Sequence, residues 1–318
     1  MRPIFLLVIA ALATSPGLLA QLPNQVITAG YTDSIPAPLV VAPGQVITLF
    51  VRGISVPDAV ATQVPLPTSL SGVSIAVTKL LNASLAPDLL PIFRIHSEDL
   101  CAGRLAVLCP ATQITVQIPT EAFCMSTAAN GCDFVPEAAL ILNVKVNGVA
   151  GQDFPVSVYG SVPHLLNSCD TVFGGSTSCY DLVTHADGSL VSAGNPAQPG
   201  ETIVLYAEGL GKTGPLVPTG AAASSPASAG NSNFPVAVSY RVDMRPYIGP
   251  TFVSTGQLLI PAYAGLTPGF VGLYQINVAV PAPPAQAHDC VAGGFADTNT
   301  RLSLGTQSVE ICVRLANP

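Results

Sequence analysis

Apolar and polar residues alternate one by one along several short stretches of this chain. That period of two fits a strand with one face on a core and the other in water. Ile114, Val116 and Ile118 alternate with Gln113, Thr115 and Gln117, so the polar three are expected on a wet face. Tyr274, Ile276, Val278 and Val280 alternate in the same way, leaving Gln275 and Asn277 facing outward. Val236, Val238, Tyr240 and Val242 form a third such run, and Val73, Ile75 and Val77 a fourth. Thirty prolines and 28 glycines break the chain into short pieces, which disfavours long helices. Asp187-Gly188, between Leu182–Ala186 and Ser189–Val191, predicts a type I′ hairpin, and Asn147-Gly148 a similar one. Only Pro57–Thr62 and Thr120–Met125 read as even weakly helical.

The chain also repeats itself. Pro43-Gly44-Gln45-Val46-Ile47-Thr48-Leu49-Phe50-Val51-Arg52-Gly53-Ile54 aligns with the twelve residues Pro199 to Leu210, at an offset of 156 (Pro43 to Pro199). Gln113–Pro119 aligns with Gln275–Pro281 at an offset of 162 (Gln113 to Gln275). The growth in offset calls for an insertion in the second copy, and the Ala-, Ser- and Gly-rich stretch Thr219–Asn233 is where it is expected. A length of 318 residues suits two domains. Short strands with turns between them argue for sandwiches over βαβ units. The expected fold is all-β: two tandem immunoglobulin-like (Ig-like) antiparallel β-sandwiches, over 21–165 and 166–318. Loop composition at Gly174–Ser178 marks the region between them.

Residues 1–20 read as a secretory signal. Arg2 precedes the apolar run Ile4–Ala13, Ser15, Pro16 and Gly17 break it, and Ala20 offers a cleavage site, with Ala13 as the alternative. The run is shorter than the ~20 residues that span a bilayer, and no later segment fits a span. Eight cysteines behind such a segment read as disulfides. Eight cysteines allow 105 pairings in principle, and the spacings suggest local ones: Cys101 with Cys109, Cys124 with Cys132, Cys169 with Cys179, and Cys290 with Cys312. The rival reading, a metal site, lacks both a C-x-x-C pair and suitably spaced histidines.

Hydrophobic residues make up 49% of the chain and charged residues 9%, with a net charge of −7. The first figure argues against disorder. Eleven Lys plus Arg leave no basic patch for nucleic acid. The absence of Trp weakens an aromatic glycan platform. His185 and Asp187 invite a hydrolase reading, yet neither G-x-S-x-G nor H-E-x-x-H is present. No D-x-D-x-D-G loop supports a Ca²⁺ site. The expectation is therefore no catalytic residue, no metal and no cofactor. The function expected is a secreted or cell-surface module for binding, adhesion or architecture, whose partner is an unidentified extracellular protein or glycan. A secreted hydrolase with an unrecognised site and a structural assembly subunit are the alternatives.

From Thr184 onward the chain carries a series of motifs in order. They are Thr184-His185-Ala186-Asp187-Gly188-Ser189-Leu190-Val191, then Asn195–Glu201 with Pro199-Gly200, then Tyr206–Gly211 with Gly209. Ala264-Gly265-Leu266-Thr267-Pro268-Gly269-Phe270-Val271-Gly272-Leu273-Tyr274-Gln275-Ile276-Asn277-Val278 follows. Over about 180–318 the sequence resembles the Solibacter-type uncharacterised C-terminal domain of secreted acidobacterial proteins. The resemblance implies an Ig-like β domain on an exported protein and carries no catalytic residue. Physically, Gly265, Pro268, Gly269 and Gly272 read as turn formers, with Phe270 and Tyr274 expected in the core.

Overall fold

A computed structural model describes residues 24–31, 39–80, 86, 88–98, 111–122, 138–170, 179–229, 236–244, 252–290 and 297–315. The expected signal segment, Cys101, Cys109, Cys124 and Cys132 lie outside the described residues. Among those residues every regular element is a strand.

The first sandwich contains β1 (Gln25–Gly30), β2 (Val40–Val41), β3 (Val46–Arg52), β4 (Ala59–Val60), β5 (Val73–Lys79), β6 (Ile92–Glu98), β7 (Ala111–Gln117), β8 (Ala138–Val146) and β9 (Val149–Val158). One sheet has the order β1-β3-β7-β6-β4 and the other β2-β9-β8-β5. Between them lies a core that includes Ile47, Leu49, Ile75, Ile114, Val116, Leu140 and Leu142.

The second sandwich contains β10 (His164–Leu165), β11 (Val183–Thr184), β12 (Thr202–Glu208), β13 (Thr213–Gly214), β14 (Ala227–Ala229), β15 (Val238–Asp243), β16 (Phe252–Leu259), β17 (Tyr263–Leu266), β18 (Tyr274–Ala279), β19 (Thr300–Leu304) and β20 (Gln307–Ile311). Its sheets run β10-β12-β18-β17-β14-β13, with β11 also on β12, and β16-β15-β19-β20. Ile203, Leu205, Tyr240, Tyr274, Ile276 and Leu302 belong to its separate core. Leu165 already packs in this core while His164–Leu165 pairs with β12, so the chain enters the second sandwich just before residue 166.

The two aligned segments occupy the same places in both sandwiches. Ile47 lies opposite Val116 and Leu49 opposite Ile114. Their counterparts Ile203 and Leu205 lie opposite Val278 and Ile276. Val41 runs parallel to Val158, and Ala197, its counterpart, makes a parallel bridge to Val313. The extra chain of the second copy falls between β12 and β14, where 18 residues (209–226) replace the 6 (53–58) between β3 and β4. It therefore starts ahead of Thr219.

Several local expectations need correction. Pro57–Thr62 holds the short strand β4, because Ala59 and Val60 pair with Ile95 and Arg94. Asn147-Gly148 is the I′ turn expected, with φ of 48° and 82° between the paired Val146 and Val149. Asp187-Gly188 is not. Gly188 N–H closes a turn onto the His185 carbonyl at 3.0 Å, which puts Ala186 and Asp187 at its centre and only Gly188 at positive φ. Asp187 Oδ1 instead accepts Ser189 N–H at 2.9 Å, an Asx-type bond that holds the loop. Phe270, expected in the core, is 55% exposed, whereas Tyr274 is buried. Gln113, Thr115 and Gln117 are not on a wet face: β7 is buried on both sides. Gln275 and Asn277 are half-buried.

Candidate functional site

His185 stands at the end of β11, where its ring meets two acceptors. Nδ1 bonds the Glu201 carboxylate, and Nε2 lies 3.2 Å from the Asn195 carbonyl oxygen. Burial acts to lower its pKa, but the Glu201 bond, the Asn195 carbonyl and the nearby Glu201 and Asp187 charges outweigh that and raise it. Two acceptors on two nitrogens favour the doubly protonated ring. A general base needs a nitrogen free to take a nucleophile's proton, and here both are engaged. Glu201 also accepts Gln198 N–H at 2.7 Å, so the pair ties the Pro199-Gly200 turn to the β11 hairpin.

The other motif residues lead to the seam between the sandwiches. A Cβ on Gly272 would stand 2.5 Å from Val46 Cγ2, and one on Gly209 2.2 Å from the Val162 carbonyl oxygen. Both glycines also have positive φ, so they serve a turn and a close approach together. Tyr274 is 2% exposed and donates its hydroxyl to the Gly211 carbonyl at 2.5 Å.

Sequence reasoning missed the polar groups that meet here. Glu208, 3% exposed at the end of β12, accepts the Val46 N–H of the first sandwich at 3.0 Å. Gln45 donates to the Tyr31 hydroxyl at 2.5 Å, and its Oε1 accepts Ala42 N–H at 2.6 Å. The Tyr31 ring stacks on His164, with centroids 3.7 Å apart and planes 5° from parallel. His164 Nε2 lies 3.0 Å from Asp170 Oδ2, which also accepts Asn167 N–H at 2.8 Å. Asp170 is fully buried, and its Oδ1 has no hydrogen-bond partner among the described residues. The available signal was slight: Glu208 aligns with Arg52, so the two copies differ in charge at that strand end.

Burial holds the Glu208 carboxyl well above the usual carboxylate range. The Asp170 charge adds to the effect and the Val46 N–H opposes it. A raised carboxyl keeps its proton in the native state after the unfolded chain has lost its own. Stability is therefore full below the ordinary glutamate value near ~4.3 and declines as pH rises toward the raised one. Glu208→Gln keeps the acceptor for Val46 and cannot ionise. The variant is expected to match wild type in urea unfolding at about pH 4 and to exceed it at pH 7. Equal stability at both pH values would show that Glu208 ionises freely in the native protein.

A cleft of about 370 Å³ opens elsewhere on the second sandwich, lined in part by Tyr180, Asp181, Leu190, Asp297 and Glu310. Its carboxylates are largely committed. Glu310 pairs with Arg301 and accepts from the Thr298 hydroxyl, and Asp181 Oδ2 accepts Glu310 N–H at 2.8 Å. No histidine among the described residues lines the cleft. Among the described residues no group of three His, Cys, Asp or Glu is placed to hold a metal ion.

Two of the expected disulfides are formed. Cys169–Cys179, with Cα atoms 5.1 Å apart, staples the chain just after it enters the second sandwich. Cys290–Cys312, at 5.9 Å, ties the segment after β18 to the residue after β20. No helix among the described residues is long and apolar enough to cross a membrane.

No protein-family profile and no curated protein matches the chain. Among solved structures it is similar to the C-terminal domain of the AgI/II polypeptide BspA of Streptococcus agalactiae, over 92% of this chain and 100% of that one. The identity is 10% and the TM-score 0.18, too slight to carry an argument about role.

Proposed function

We propose that this protein is a non-catalytic extracellular module of two domains that binds or spaces partners at the cell surface. The observation that carries the reading is the commitment of three of its four histidines to structure. His185 has an acceptor on each ring nitrogen, His96 Nδ1 is held by Asp58 at 2.6 Å, and His164 is stacked on Tyr31 and bonded to Asp170. The disulfides support an oxidising compartment. The resemblance of residues 180–318 to the Solibacter-type C-terminal domain belongs to the same reading.

A structural assembly subunit is the second reading, because β16 is an edge strand with exposed Val253, Leu258 and Ile260 nearby. The register of that strand argues against it. Ser239 lies opposite Leu258 and Arg241 opposite Ser254, so Thr255, Gly256 and Gln257 bulge out opposite Tyr240. A bulge of this kind interrupts the row of groups that an added strand would need.

The test is a screen of the purified protein against ester, glycoside and peptide substrates, with His185→Ala as control. No turnover is expected from either form. Turnover in wild type that vanishes in the variant would overturn the reading.

A further inference from the structure

The 18 residues between β12 and β14 are three times as many as the 6 at the corresponding place in the first sandwich. Few of them add strand: only Thr213–Gly214 pairs, at the sheet edge. What they add is contact with the other domain. Leu66 N–H donates to the Gly220 carbonyl at 2.9 Å, and Gly220 N–H donates to Gln117 Oε1 at 2.7 Å. Thr120 N–H donates to Thr219 Oγ1 at 2.9 Å. Thr219 in turn donates its N–H to Glu121 Oε1 at 3.2 Å and its hydroxyl to Glu121 Oε2. Four residues of the first sandwich thus close on two consecutive residues of the loop. Gly220 is itself buried, and a Cβ there would come within 3.3 Å of Pro91.

We infer that this insertion is an interdomain strap, and that it makes the two sandwiches a single rigid body. Domains joined by a linker alone swivel unless their interface is large. Here the linker end is already fastened, by Glu208 to Val46 and by the His164 ring on Tyr31. One fastening leaves a rotation about itself. The strap supplies a second, at Thr219–Gly220, that reaches Leu66, Gln117, Thr120 and Glu121, and the rotation is removed. Burial of Gln117 follows from the same contact: its Oε1 serves the strap and its Nε2 donates to the Gly44 carbonyl at 3.2 Å. The inference does not depend on whether the chain binds anything.

Two variants of the full chain test it by small-angle scattering and calorimetry. One replaces residues 209–226 by the six residues 53–58, and the other is Gln117→Ala with Thr219→Ala. Wild type is expected to melt in one transition and to scatter as one particle of fixed shape. Each variant is expected to melt in two transitions and to require a spread of domain arrangements. If the shortened chain fails to fold, the double point variant decides. A point variant that keeps the single transition and the wild-type scattering curve would overturn the strap.

Discussion

Tyr274→Ala is expected to destabilise the protein by about 3–5 kcal/mol, the range for removing a large aromatic side chain from a packed core. Tyr274 is 2% exposed within the second core, and β18, which carries it, is paired on both sides. Its neighbours cannot close the gap easily, because β12 and β17 are fixed to β18 through ladders that end at Tyr274 itself. The hydroxyl adds a second component, since the Gly211 carbonyl loses its donor. Tyr274→Phe separates the two. It keeps the ring and strands that carbonyl, at a cost of about 1–3 kcal/mol. Urea unfolding of the three proteins measures both. A loss under about 1 kcal/mol for alanine would mean that the core re-forms without the ring.

Removing the Cys290–Cys312 bridge by double substitution to alanine is expected to cost about 3 kcal/mol. The bridge spans a sequence separation of 22 residues. In the chain-entropy account, a cross-link of that span stabilises the native state by restricting the unfolded one. Cys312 is 2% exposed and follows directly on β20, while its partner Cys290 lies in the segment after β18. The bridge thus ties the segment between β18 and β19, which also bonds β15 through His288 N–H on the Asp243 carbonyl, to the end of β20. Calorimetry under non-reducing conditions checks the figure. A variant that melts with wild type would place the closing force in the core alone.

The strands were legible because the alternation of Ile114, Val116 and Ile118 is a local property. So was the equivalence of Ile47 and Leu49 with Ile203 and Leu205, because the two segments align in sequence, and both pairs take the same place opposite β7 and β18. The Asn147-Gly148 turn was legible because it asks for two residues at positive φ, and Asn and Gly supply them. What covers a strand is not local. Thr115 read as solvated, yet it is buried and meets the equally buried Thr48, with 3.0 Å between their hydroxyls. Gln117 read the same way and meets the strap from about 100 residues away. Gly272 read as a turn former, but the space that it and Gly209 leave is filled by another domain. The pairing of His185 with Glu201 was hidden because the two lie 16 residues apart on different strands' approaches. Neither residue alone calls for the other.

The buried carboxyl at the seam ties the union of the two sandwiches to the solvent in a way that neither half would show alone. Parted from the first sandwich, Glu208 would lose the Val46 N–H and meet water, and its carboxyl would ionise as an ordinary glutamate does. Bringing the halves together therefore takes up protons at pH values between the ordinary glutamate value and the raised one. In that range, assembly of this protein from its parts consumes acid, and the halves made separately carry together more negative charge than the whole.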